Sequence, residues 1–262
     1  MNARALFLIT HGSSDRRSWI ALQDLIAVAK SRIEHRDDWQ SGDRQIADRY
    51  ISGGCLEGLE LTLSQQLEGF ATQAIQAGIS EVVILPLFLL EGVHVSEDIP
   101  AEVAIAQNNL QERFIERCSD FTFRITPYLG TDPDIPKLIS RQFEKYRTEI
   151  SHGVPTPAIS GRILIAHGSR RAGANQVIED LAKPSQAIAA YWGVEPKIET
   201  QIEKLLLQGI EQIQVLPYFL NEGGITEAIS RRLQNYSDRA QIQLLPVPLS
   251  KEQIIDLAWK FI

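Results

Sequence analysis

Three side chains in the first half of the chain can ligate a metal or exchange a proton near neutral pH: His11, Glu57 and His94. His11 stands in LFLITHGSS, directly after an apolar run, and His94 in PLFLLEGVHVSEDIP, just past another. Glu57, in GGCLEGLE, follows a third candidate strand. Parallel sheets bind ligands beyond the carboxyl ends of their strands, so two imidazoles and a carboxylate would converge on one rim. Gly12, Gly53, Gly54, Gly58 and Gly92 surround them and permit tight turns and close backbone approach. A lone histidine at a strand end is more often a hydrogen-bonding turn residue; three polar groups at three strand ends favour a site. Arg16 and Arg17 read either as a solvated helix start or as partners for an anionic ligand. His35 and His152, in a polar loop and a linker, read as surface residues. Glu97 and Asp98 read as acidic complements to a helix N-terminus.

The elements that must position these groups alternate. ALFLI (5–9) is a continuous apolar run, as a strand buried on both faces requires. Trp19, Leu22, Leu25, Ile26, Ala29 and Ile33 recur at helical spacing. A polar loop (34–45) leads to a second strand at IADRYIS, a helix over 59–78 and a third strand over 81–89. A helix over 96–114, a strand in FTFRITPYL and a helix in PDIPKLISRQFEKY complete the half. Strands and helices alternating at these lengths indicate βαβ units and a parallel sheet.

The second half repeats the order. ILIAHGSRR (163–171) echoes LFLITHGSS, VLPYFLNEG (215–223) matches ILPLFLLEG (84–92), and LPVPL (245–249) corresponds to ITPYL (125–129). Three phrases in the same order indicate a duplicated domain. The seam is SHGVPTPAISG (151–161), so the domains are expected at 1–152 and 158–262. The copies are not equivalent: His167 repeats His11, but by eye Trp192 falls on Glu57 and Ile225 on His94. The first copy therefore keeps the chemistry and the second is a degenerate repeat.

Bulk composition narrows the class. Of 262 residues, 44% are hydrophobic and 23% charged, ordinary for a globular protein. The net charge of −7 argues against a general nucleic-acid binder. Cys55 and Cys118 form no CxxC pair, which fits a reducing compartment, and they are too few for an iron–sulfur cluster. The first apolar run is too short for a signal peptide or a membrane span, so the expectation is a cytoplasmic protein.

With LITHGSS and LPLFLLEGVHVSEDIP both in place, the chain resembles the sirohydrochlorin chelatase family in its long, two-repeat form, over nearly its whole length. The resemblance implies an α/β fold of two homologous chelatase-like domains, each a four-stranded parallel sheet flanked by helices, with an interdomain cleft. It implies a lyase-type, ATP-independent class II chelatase that inserts Fe2+ or Co2+ into sirohydrochlorin for siroheme or cobalamin synthesis. Nickel stays open on the same ligand grounds. No cofactor is tightly bound in this picture; the metal is a substrate. By position, His11 matches the family's metal ligand and proton acceptor, and His94 its second metal-binding histidine. Glu57 matches a substrate-contacting glutamate, and Leu89, Leu90, Glu91, Gly92, Val93 and His94 match the loop that lines the tetrapyrrole. Arg16 and Arg17 are the candidates for offsetting the substrate's carboxylates. The partners are then sirohydrochlorin and a divalent metal, with no nucleic acid and no membrane, and the chain is expected to be a monomer. The alternative is a non-catalytic tetrapyrrole or metal-binding carrier. A histidine phosphatase would need arginine just before the histidine, where Thr10 and Ala166 stand.

Overall fold

The computed structural model describes residues 4–34, 46–113, 121–146 and 161–262. Strand β1 (Arg4–Gly12) buries Ala5 through Ile9 without a break, because helices cover both faces of its sheet. With β2 (Ile46–Glu57), β3 (Glu81–Pro86) and β4 (Thr122–Ile125) it forms a four-stranded sheet of order β2-β1-β3-β4, parallel throughout. Helices α2 (Leu63–Gln76) and α3 (Ile99–Arg113) bury Leu67, Ala71, Ile99 and Val103 against Phe7, Ile9, Val82 and Ile84 on one face. On the other lies α1 (Arg16–Glu34), whose Leu22, Leu25 and Ala29 are buried.

Strand β2 runs five residues beyond the segment expected from sequence and takes in Gly53 and Gly54. These glycines do not make a turn; they let helices approach the strand. A side chain at Gly53 would meet the Leu8 carbonyl and the Leu22 and Ile26 methyls, and one at Gly54 would meet Gln66 and Phe7. At the outer edge of β2, the Gln66 side chain substitutes for a neighbouring strand. Its Oε1 accepts from the Cys55 N–H at 3.1 Å, and its Nε2 donates to the Cys55 carbonyl at 3.0 Å. Helix α2 begins later than expected, after Thr62, which forms a capping box with Gln65.

The second sheet has the same order: β6 (Ile188–Tyr191), β5 (Gly161–Ala166), β7 (Gln212–Pro217) and β8 (Gln241–Leu244), again all parallel. Helices α6 (Ile198–Leu207) and α7 (Gly224–Leu233) cover one face, and α5 (Gln176–Ala182) packs on β5 and β6.

The compact units do not follow the repeat boundary. One unit is Met1–Thr131 plus Lys251–Ile262, the other Asp132–Ser250. Thus α4 (Ile135–Lys145), which ends the first repeat, packs in the second unit, and α8 (Lys251–Ala258), which ends the second repeat, packs on α1 in the first. The expected division at 152 and 158 follows the repeat in sequence, and that seam lies outside the described residues except for Gly161. Packing chemistry accounts for the exchange. In the first sheet the paired residues Leu6 and Val83 are fully apolar; at the matching places the second sheet has Arg162 and Gln214. Arg162 pairs with Glu144 of α4 at 2.6 Å, and Gln214 donates to the Phe143 carbonyl at 3.3 Å. Helix α8 presents Ile254, Ile255, Leu257 and Ala258, and is tied to α1 by Lys251–Asp24 at 2.5 Å. Helix α4 therefore meets the polar groups of the second sheet that it can satisfy, while α8 packs on α1.

Among the described residues no helix is long and apolar enough to cross a membrane. Replacing Gln66 by leucine leaves the Cys55 N–H and carbonyl without partners in a half-buried groove. Urea denaturation is expected to show a loss of about 1–3 kcal/mol, with the native circular dichroism spectrum retained.

Candidate active site

The end of β1 and the start of the helical segment after β3 bring two imidazoles together. His11 Nε2 and His94 Nε2 are 3.0 Å apart, and the rings meet edge-on at an interplanar angle of 86°. The far nitrogen of each ring is engaged as well. His11 Nδ1 lies 3.0 Å from the Gly12 carbonyl, and His94 Nδ1 lies 2.7 Å from Asp98 Oδ2. Carbonyl and carboxylate oxygens only accept, so each Nδ1 carries a proton as donor. When both rings are neutral, each Nε2 carries a lone pair, and the two nitrogens lie close enough to share one cation. Such a pair has room for one positive charge between its nitrogens, either a proton or a metal cation.

Local backbone chemistry sets both rings. Gly12 has φ +81°, a conformation that costs a side-chain-bearing residue free energy, and a Cβ there would run into the Glu57 carbonyl oxygen. The glycine turns the chain so that its own carbonyl returns to His11. His94 opens a π-helical turn, His94–Asp98, in which the Ile99 N–H bonds the His94 carbonyl five residues back. Pro100 supplies the reason. It has no N–H to give Ser96, and in a regular helix its ring would crowd that carbonyl. The wider turn removes the conflict.

The remaining expected residues differ in exposure and in partners. Glu57 is exposed at the end of β2, opposite Gly12. Among the described residues no group of three or more His, Cys, Asp or Glu is placed to hold a metal. In the loop 89–94, Leu89 is only 8% exposed and belongs to the core, whereas Glu91 and Val93 face outward and Leu90, Gly92 and His94 are half-buried. The loop is held by the Gly130 N–H, which donates to the Phe88 carbonyl at 2.8 Å, and by Tyr128. Burial and the nearby Glu91 charge push the Tyr128 hydroxyl above its ordinary value, and a backbone hydrogen bond with Glu91 partly opposes this. Arg16 is exposed at the first residue of α1. Arg17 closes on Asp15, Nη2 to Oδ2 at 2.7 Å, and holds that carboxyl below its usual range. Cys55 is buried and its thiol is pushed up by desolvation, the mark of an inert thiol. His35, His152 and Cys118 lie outside the described residues.

Among its described residues the second unit has no such pair. Thr10 faces Cys55 in the first sheet, and its counterpart Ala166 faces Tyr191 in the second. Counting on, Gly193 occupies the place of Glu57 and Trp192 that of Leu56, one residue from the alignment by eye. His167 is exposed, and Ile225, at the place of His94, packs on the core.

From sequence, Asp98 reads as a complement to a helix N-terminus, not as the partner of His94, and Tyr128 is not singled out. The four-residue spacing of His94 and Asp98 was the available signal for the first. For Tyr128 there was none, since its relation to the loop is tertiary.

Two parallel α/β units, one with a histidine pair at its strand ends, have the architecture of the tetrapyrrole chelatases. SirB from Bacillus subtilis with Fe3+ matches at a TM-score of 0.73 and 18% identity, over 99% of this chain and 94% of that one. CbiX, described as the terminal enzyme of siroheme biosynthesis in denitrifying bacteria, matches at 0.61 and 20%, over 99% of this chain and 100% of that one. At such identities the likeness establishes the fold. The CbiX family model matches residues 5–146 and 161–256, and the chain belongs to that family. A sirohydrochlorin cobaltochelatase of Methanosarcina acetivorans is 32% identical over 99 residues, 38% of this chain and 72% of that enzyme. That of Methanosarcina barkeri is 32% identical over 65 residues, which span 25% of this chain and 47% of that enzyme.

Gly12→Ala places a methyl group against the Glu57 carbonyl in a left-handed conformation. Stability is expected to fall by about 1–3 kcal/mol in urea denaturation, and the His11 signals in a histidine 1H–15N spectrum to shift as its Nδ1 acceptor moves.

Proposed function

We propose that the first unit inserts a divalent metal, Fe2+ or Co2+, into sirohydrochlorin without ATP, in the cytoplasm and with the chain working as a monomer. The observation that carries this reading is the pair of Nε2 atoms 3.0 Å apart, each ring already proton-bearing on its far nitrogen. Two bonds of about 2.1 Å from imidazole nitrogen to one metal, set at a right angle, span about 3.0 Å. The pair thus offers two neighbouring positions on a cation and leaves the others open for water and macrocycle. Neutral imidazole holds a borderline divalent ion yet releases it, which insertion requires. As the metal enters, two pyrrole N–H protons must leave. The vacated nitrogen pair can take one proton between its two Nε2 atoms and pass it to solvent before the next. Glu57 and the loop residues Leu90, Glu91, Gly92 and Val93 serve as substrate contacts in this reading, and Arg16, which unlike Arg17 does not close on Asp15, is the arginine that meets a carboxylate. Leu89 supports the loop from below. The cobaltochelatase activity named for the Methanosarcina relatives, and the Fe3+ and cobalt named for the SirB structures, support the same reaction class.

Anaerobic insertion into sirohydrochlorin, followed by absorbance with Fe2+ and Co2+ in parallel, tests the reading. His11→Ala and His94→Ala are each expected to lower kcat/KM by about 10²-fold or more, while His167→Ala stays near wild type. The metal with the larger gain over the protein-free background identifies the product as a precursor of siroheme or of cobalamin. Wild type that only matches background would leave a carrier as the better account. Equal loss in His94→Ala and His167→Ala would mean that both halves serve one site.

A further inference from the structure

We infer that Asp98 is the positioning residue of His94, holding the proton on Nδ1 so that Nε2 stays unprotonated beside His11, and that the π-helical turn serves this by keeping Asp98 off the core-facing row. What the unprotonated nitrogen is used for rests on the proposed function; the positioning itself does not. His94 Nδ1 donates to Asp98 Oδ2 at 2.7 Å, the short distance of a charge-assisted bond. Which nitrogen of a neutral imidazole carries the proton is decided by the partner of the other nitrogen. A free neutral imidazole side chain favours the proton on Nε2. Without Asp98, His94 Nε2–H would point at His11 Nε2, already 3.0 Å away, and donate to it. The pair would then satisfy itself and close to a cation. His11 needs no side-chain partner, because the Gly12 carbonyl serves it.

The second repeat shows what the turn does. There Ile225 replaces His94, Arg231 replaces Pro100, and α7 is a regular helix. The place of Asp98 is taken by Ile229, which with Leu233 faces the core at 0% and 7% exposure. In the first repeat the same two core places are filled by Ile99 and Val103, at 0% and 6%. One residue has been inserted between His94 and the core stripe. That insertion takes Asp98 off the core-facing row and leaves its side chain 44% exposed beside His94. An exposed pair of this kind adds little to stability, so its place in the fold calls for another role.

The test uses the full chain with 15N-labelled histidine and no sirohydrochlorin. Long-range 1H–15N correlation spectra report which nitrogen of His94 is protonated, its signals being those lost in His94→Gln. Co2+ alone is titrated in parallel. Wild type is expected to show Nδ1–H. Asp98→Asn, whose amide oxygen still accepts, is expected to keep Nδ1–H and most of the Co2+ affinity. Asp98→Ala is expected to move the proton to Nε2 and weaken Co2+ by about 10–100-fold, with an unchanged urea midpoint. Wild type that binds no Co2+, or Asp98→Ala with an unmoved proton or unchanged affinity, overturns the inference. Wild type that binds Co2+ but does not insert it overturns the proposed function alone, since neither readout involves the macrocycle.

Discussion

Two neutral imidazoles with unprotonated nitrogens 3.0 Å apart are an unfavourable arrangement, and the anchors of the first unit impose it. Each ring must be anchored from behind by an acceptor, or the pair would close into an ordinary hydrogen bond. The Gly12 carbonyl anchors one and the Asp98 carboxylate the other. Both anchors come from local backbone irregularities, a left-handed glycine and a π-helical turn. Both irregularities sit at the carboxyl edge of a sheet whose central strands are fully buried. The rigid part of the fold holds two flexible-looking ends in one fixed relation.

The duplication makes the cost of that arrangement visible. In the second repeat the same strand order and the same helix pattern persist, yet Ile225 and Ile229 have joined the core and the helix has become regular. With no imidazole at this place, the helix has no inserted residue and its apolar stripe keeps ordinary spacing. His167 remains at its strand end without a partner imidazole among the described residues. Within one chain the architecture is repeated and, among the described residues, the histidine pair is not.

The exchange of α4 and α8 follows from the same economy of surfaces. Each sheet needs a helix on its second face, and each face is written in a different chemistry: Leu6 and Val83 in one, Arg162 and Gln214 in the other. An apolar helix buried against Arg162 would leave a guanidinium without a partner, a larger loss than any gain in apolar contact. The apolar α8 and the Glu144-bearing α4 are therefore not interchangeable.

The sequence by itself determined the class of fold, because continuous apolar strands alternating with amphipathic helices leave a parallel sheet as the way to bury both. It also determined the duplication, and it singled out His11 and His94, whose position after such strands places them at the carboxyl edge of the sheet. Tertiary structure decided the rest. Strand register, not alignment by eye, put Gly193 at the place of Glu57, and side-chain burial took Leu89 out of the loop's exposed face. The role of Asp98 was hidden because an acidic residue at a helix start has a sufficient local explanation in the helix dipole. The four-residue spacing allows the contact, but only the inserted turn, which depends on where the core stripe falls, keeps that carboxylate out of the core and beside the ring. Which sheet each terminal helix covers was likewise beyond the sequence order, because it depends on the match between two surfaces far apart along the chain.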